Sequence, residues 1–219
     1  MDDQTVMDKA LSTPNIEKKP SSLRYYQDGP PDSIDINDWQ LVISGQLAQK
    51  IQLCFSDIMR LNQITQHRRM VCVCNWSIKR HWSGVLLQDI LQLAGIDATR
   101  TDNLYLKQTS IGTREKGCYQ STIPLGAALE RRALLAHSVD GSKLPIEQGY
   151  PMRLIDFGLY GYKSVKGLTQ LEITDQYEIG YWEKLAGYEL DGTIRKKKYW
   201  LVETRKHYFP VQEGEITEL

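Results

Sequence analysis

Apolar residues in this chain come mostly in short alternating runs broken by glycine and polar steps. Trp39-Gln40-Leu41-Val42-Ile43-Ser44-Gly45 predicts a strand closing on a glycine turn, and Ile51-Gln52-Leu53-Cys54 predicts a second. Ser56 is placed to cap a helix carrying Ile58, Met59 and Leu61. Arg69 to Asn75 alternates enough for a strand, which would put Cys72 and Cys74 on one face. Trp82-Ser83-Gly84 predicts a turn. Ser83 to Ala94 then has helical spacing at Val85, Leu86, Ile90, Leu91 and Leu93, with Gly95 just beyond its end. Leu104-Tyr105-Leu106 predicts a strand, and Pro124 opens a helix with Leu125, Ala128 and Leu129 on one face. Arg153-Leu154-Ile155 and Leu168 to Ile173 predict strands on either side of a Gly/Tyr-rich loop. Short strands with a few interposed helices define an α+β class with a mixed β-sheet.

Organisation follows from where this patterning stops. Pro14, Pro20, Pro30 and Pro31 interrupt the first 37 or so residues. The expected division is a flexible N-terminal arm over 1–22, one domain over 23–205 and a C-terminal tail over 206–219. Leu23-Arg24-Tyr25-Tyr26-Gln27 is expected to dock, because a solvated tail seldom needs two adjacent tyrosines. A chain of 219 residues can bury a substantial core. Lys plus Arg equals Asp plus Glu at 27 each, so no basic field points to nucleic acid. Arg195-Lys196-Lys197-Lys198 beside Tyr199 and Trp200 reads as a nucleic-acid patch or, more commonly, as the solvated edge of a strand. The apolar runs are too short to span a membrane. The N-terminus shows no secretory signal. Four cysteines do not make a disulfide scaffold. Together these predict a cytoplasmic setting, or a periplasmic one if a leader has been removed.

Two places could carry chemistry. Cys72 and Cys74, followed by Asn75-Trp76-Ser77, read either as buried core thiols or as reactive ones. A zinc site would need further ligands, and Cys54, Cys118 and the histidines are scattered singly. A cysteine nucleophile with His81 as base is another reading. The second place is Gln148-Gly149-Tyr150-Pro151-Met152-Arg153, then Gly158 to Lys166. Glycines there expose backbone donors, while Arg153, Lys163 and Lys166 supply cations, a combination suited to an anion. A tight loop with solvated lysines would look the same.

Taken in order, these pieces resemble the molybdopterin-binding domain of the sulfite oxidase family. The branch that looks closest contains the bacterial molybdenum subunit that reduces methionine sulfoxide. The likeness runs from about Leu23 to about Tyr188. It rests on Tyr25-Tyr26, Asp38 to Leu41, the Cys72–Trp76 stretch, Trp82-x-Gly84-Val85-x-Leu87, Gly149 to Leu154, Tyr160 to Lys166, and Gly180-Tyr181-Trp182-Glu183 with Gly187-Tyr188. The resemblance implies a molybdenum-molybdopterin oxidoreductase that transfers an oxygen atom to or from a small sulfite- or sulfoxide-like substrate, with an external protein as electron donor or acceptor. It implies Cys72 as the metal-ligating, catalytic residue, with Cys74 its neighbour. Cofactor contacts would fall to Tyr26, Gln27, Gln108, Gln148, Arg153, Ser164, Val165 and Lys166. The chain departs from the family pattern at Asp156, at Gly167 and over 109–118. These departures motivate an alternative, a non-catalytic binding module or cofactor carrier with the same fold.

Overall fold

The computed structural model describes residue 31 and residues 33–97, 101–112 and 117–208. Among them the element order is β1 (Gln40–Gly45), β2 (Ile51–Cys54), α1 (Phe55–Met59), β3 (Ile64–Val71), β4 (Trp76–Leu86), α2 (Leu87–Leu93) and β5 (Tyr105–Ser110). There follow β6 (Gln120–Pro124), α3 (Leu125–Glu130), β7 (Leu134–Val139), β8 (Ser142–Lys143), β9 (Arg153–Ile155), β10 (Leu168–Thr174), α4 (Tyr181–Ala186), β11 (Tyr199–Leu201) and β12 (Lys206–Tyr208). Short 3-10 turns lie at Ile146–Gln148 and Gly161–Lys163. No helix among the described residues is long and apolar enough to cross a membrane.

The expected α+β architecture forms, with two mixed sheets in place of one. The first has the order β2-β1-β10-β5-β6, with β1 and β10 parallel and the other pairs antiparallel. The second is built around β4. One edge of β4 pairs with β3 along its whole length. The other edge is shared: β7 takes Trp82 to Leu86, and β11 runs parallel to Trp76 and Ser77. β7 in turn pairs with β8 at one end and β9 at the other. Leu41 and Ile43 of β1, Leu106 of β5, Val85 and Leu87, Leu154 and Leu171 meet in one core fed by both sheets. Trp39 anchors the strand entry by donating its indole N–H to the Leu168 carbonyl at 3.0 Å.

Several sequence expectations need correction. β3 ends at Val71, so Cys72 and Cys74 do not share the face of a strand. Residues 72–75 form the tight turn between β3 and β4, closed by Asn75 N–H to the Cys72 carbonyl at 3.1 Å and Cys72 N–H to the Trp76 carbonyl at 2.8 Å. Asn75 takes φ of 68°, a left-handed conformation that asparagine tolerates better than most residues. Alternation continues through the turn, so local pattern alone could not mark it. Trp82 to Gly84 is no turn and Ser83 to Leu86 is no helix: β4 runs to Leu86, bulging between Ser83 and Gly84 where Gly84 backs onto the Leu135 carbonyl. Helix α2 begins only at Leu87. Cys54, not Ser56, caps α1; the Asp57 carboxylate accepts the Cys54 N–H at 3.0 Å, and Leu61 lies beyond the helix.

Candidate cofactor site

The Gly/Tyr-rich loop runs between β9 and β10 and comes against the end of β3, where a Cβ built on Gly161 would lie 3.6 Å from the Val71 carbonyl. Arg153 on β9 and Lys166 form an isolated antiparallel bridge, and Leu154 N–H donates to the Val165 carbonyl at 3.2 Å. Gly149 closes the base of this ribbon by accepting from Gly167 N–H at 3.3 Å. Its φ is +111°, and a Cβ there would lie 3.0 Å from Lys166 Cβ and 3.1 Å from Arg153 Cβ. Glycine is therefore required on two counts, conformation and space. Gly149→Ala is expected to cost about 1–3 kcal/mol through strain. Thermal unfolding and bound-pterin content measured together should both fall.

The side chains converge around this ribbon. Arg153, 2% exposed, donates from Nη1 to the Gln148 carbonyl at 3.1 Å and from Nη2 to Met70 Sδ at 3.5 Å. Met70 stands two residues before Cys72, so the guanidinium links the loop to the thiol turn. The Lys166 ammonium reaches the Glu147 carbonyl at 3.0 Å, and its charge favours the Cys72 thiolate. Gln108, fully buried on β5, spans the loop: its amide donates to the Lys163 carbonyl at 2.9 Å and accepts from Val165 N–H at 3.2 Å. Val165 itself turns its side chain into the main core. Ser164 is 3% exposed, and its Oγ has no hydrogen-bond partner among the described residues. Of the sequence-predicted residues, Cys72, Gln108, Gln148, Arg153, Ser164, Val165 and Lys166 are brought into one region. Tyr26 and Gln27 lie outside the described residues.

The thiols act as a pair. Cys74 N–H points at Cys72 Sγ from 3.5 Å, and the two side chains share a hydrogen bond. Donation from the Cys72 thiol pulls Cys74 down to about 7, while the same bond and burial push Cys72 well up. Tyr188 lies beside them; burial and the thiolate charges raise its phenol. Tyr162, Trp182 and Tyr188 form an aromatic wall there, with ring centroids 5.0 Å apart for Tyr162–Tyr188 and 6.1 Å for Trp182–Tyr188.

Lys163 departs from its expected role as an anion-binding cation. Its side chain is 0% exposed and its Nζ donates to Glu183 Oε1 at 2.5 Å, to the Tyr177 hydroxyl at 2.9 Å and to the Thr122 carbonyl at 3.3 Å. It ties the loop to α4 instead. Sequence reasoning also missed Ser121, whose buried Oγ has no partner among the described residues and which stands directly opposite Gln108 in register. A serine inside a short strand carries no local signal. His81 is no base for Cys72. It stacks on His67 at 4.1 Å, four rungs down the hairpin from Val71↔Ser77, roughly 13 Å or more away. Among the described residues no group of three or more His, Cys, Asp or Glu side chains could hold a metal ion. A single thiolate with a cofactor supplying the other ligands needs no such group.

A glycine-based ribbon carrying Arg153 and Lys166 beside a cysteine turn, with a buried serine hydroxyl lacking a partner among the described residues, has the chemistry to take a phosphate-bearing cofactor with a soft metal. The chain belongs to the family described as the oxidoreductase molybdopterin binding domain, whose model matches residues 28–182. This membership bears out the expected family and its molybdenum-molybdopterin cofactor. The relatives include YedZ1 of Azospira oryzae, provisionally named a protein-methionine-sulfoxide reductase subunit, 32% identical over 73% of this chain and 58% of that one. YuiH of Bacillus subtilis, an uncharacterised oxidoreductase, is 30% identical over 72% of this chain and 76% of that one. The methionine-sulfoxide reductase catalytic subunit MsrP of Pseudomonas syringae is 26% identical over 72% and 50%. The sulfane dehydrogenase SoxCD of Paracoccus pantotrophus shares the fold, with a TM-score of 0.59 at 20% identity over 72% of this chain and 43% of that one. The chain thus spans little more than half the length of the Azospira relative.

The departures from the family pattern have structural work here. Asp156 is buried and receives Arg131 through two bonds at 2.7 and 2.6 Å, and it caps the Gly158 N–H at 3.0 Å. Gly167 has φ of 58°, and its carbonyl accepts Ile111 N–H at 2.6 Å. Neither disturbs the convergence of Cys72 with Arg153, Ser164 and Lys166.

Proposed function

We propose that this chain is the molybdenum-bearing part of an oxidoreductase that moves an oxygen atom to or from a small sulfite- or sulfoxide-like substrate. The convergence of the Cys72 turn with the Arg153–Lys166 ribbon, around the partnerless Ser164 hydroxyl, carries the reading. When bound, the molybdenum centre supplies two-electron oxygen-atom transfer. The chain's residues bind and orient. Cys72 Sγ is the metal ligand. Arg153, Lys166 and the Ser164 hydroxyl meet the pterin phosphate, with Gln148 beside them. Gln108 and Val165 act one step back, holding the loop's backbone in place. Tyr162, Trp182 and Tyr188 exclude water from the thiol side. An external protein would exchange the electrons. The names of two relatives, which refer to methionine sulfoxide, support the sulfoxide end of the substrate range.

Expression in a host that makes the cofactor, followed by molybdenum and pterin analysis, tests this. One of each per chain is expected, with a Mo(V) resonance that responds to a sulfoxide or sulfite. Protein without molybdenum would overturn the reading. Cys74→Ala is expected to leave the metal content unchanged, because the Cys72 turn is closed by backbone bonds; metal analysis of the variant checks it.

A further inference from the structure

Beyond Glu183 and Tyr188, the segment that follows the family match has no role so far. Residues 183–208 lie beyond the matched region, yet they reach both halves of the site. At the thiol side, β11 pairs in parallel with the first two residues of β4. Trp200 N–H donates to the Asn75 carbonyl at 2.9 Å and Val202 N–H to the Ser77 carbonyl at 3.0 Å. Val202 packs with Trp76, Ile78, Met70, Cys72 and Cys74. Glu203 forms an ion pair with buried Arg69, whose Nη1 also donates to Ser77 Oγ at 3.3 Å.

The phosphate side is reached through Tyr199, which is 0% exposed. Its hydroxyl lies 2.6 Å from that of Tyr160 and donates to the Arg195 carbonyl at 2.9 Å. Arg195 N–H returns to the Tyr160 hydroxyl at 3.3 Å, closing a small ring of bonds. Tyr160 N–H donates to the Gly192 carbonyl at 2.8 Å, and Ile194 N–H to the Gly158 carbonyl at 3.1 Å. Tyr160 immediately precedes the 3-10 turn that leads into Ser164 and Lys166.

We infer that residues 190–203 are a brace that fixes the Cys72 turn relative to the phosphate loop, with Tyr199 and Glu203 as positioning residues. The physical need is plain from the sheet. β7 pairs with β4 only from Trp82 onward, so without β11 the hairpin tip would be a two-stranded ribbon, marginal by itself. A metal ligand must hold its place to within about 0.5 Å. β11 supplies the third strand at the tip, and the Tyr199–Tyr160 bond ties that strand to the other half of the site.

This inference rests on Cys72 being the metal ligand, and it is tested first on the metal-free protein so that the two can fail separately. Tyr199→Phe and Glu203→Gln are compared with the parent by the rate of iodoacetamide alkylation at each cysteine, resolved by fragment-ion mass spectrometry. Cys54, in the first sheet, is the internal control for general loosening. Alkylation at Cys72 is expected to rise at least about tenfold in Tyr199→Phe, which loses the buried hydrogen bonds to both Tyr160 and Arg195, with Cys54 unchanged. An unchanged Cys72 rate, or a Cys54 rate rising in step with it, would overturn the brace. In the loaded protein, the Mo(V) resonance of Tyr199→Phe should shift at constant pterin content, and a resonance identical to the parent would overturn it too. A failure of the metal-ligand reading shows up differently, as molybdenum content unaffected by Cys72→Ser.

Discussion

Glu183→Gln is expected to destabilise the fold by about 3–5 kcal/mol, the cost of leaving a buried charge without its counter-charge. The Lys163–Glu183 pair is wholly internal, so water cannot replace the lost carboxylate. Burial already depresses the Lys163 ammonium, and the Glu183 carboxylate is what opposes that. A neutral amide would keep a hydrogen bond but remove the opposing charge. For a chain of this size the melting temperature should drop by roughly 10 °C. The pH dependence has a definite sign. With the folded value of Lys163 depressed below its ordinary 10.5, the folded state binds fewer protons than the unfolded state, so stability rises with pH. The deficit of the variant is therefore largest near neutrality and shrinks as pH approaches 10.5. Denaturant unfolding at pH 7 and pH 10 measures both effects. A loss below about 1 kcal/mol at pH 7 would mean that the pair is not closed to solvent.

Cys72→Ser is expected to abolish the metal site while leaving the fold and the phosphate ribbon intact. A serine hydroxyl is a hard, weakly acidic donor, poorly matched to a metal that favours soft thiolate. The turn should survive, because Cys72 holds it with main-chain groups: its N–H to Trp76 and its carbonyl from Asn75. Arg153, Ser164 and Lys166 lie on other elements, so pterin should still bind. Activity should fall at least about 100-fold, the loss already produced when even an outer partner of a metal site is removed. Molybdenum and pterin assayed separately decide the matter. The expected pattern is pterin retained and oxygen-atom transfer lost, with no change in melting temperature.

The difference between these two residues shows where the sequence was legible. The family was readable because Cys72, Asn75 and Trp76 keep a fixed order with Arg153 and Lys166 many residues later. That order survives without any knowledge of contacts. Lys163 was misread because a lysine in a glycine loop beside Arg153 looks like an anion ligand, and its actual partner lies 20 residues on, in a helix. The strand that became a turn at residues 72–75 failed for a related reason. Alternation is a local signal, and where β3 stops is set by its register against β4. The basic run at Arg195 to Lys198 read as the solvated edge of a strand, and β11 follows it, but its pairing with β4 was not legible because that partner lies far back in the chain.

By itself, then, the sequence determined the α+β class, most of the strands with clear alternation, and the family. These follow from short-range periodicity and from the order of landmarks, both of which are written along the chain. Tertiary structure decided which cations face a ligand and which are sealed inside, where the hairpin turns, and which distant segment steadies it. Burial and strand register depend on partners far apart in sequence. Only packing brings Glu183 to Lys163, Gln108 to the loop backbone and Tyr199 to Tyr160.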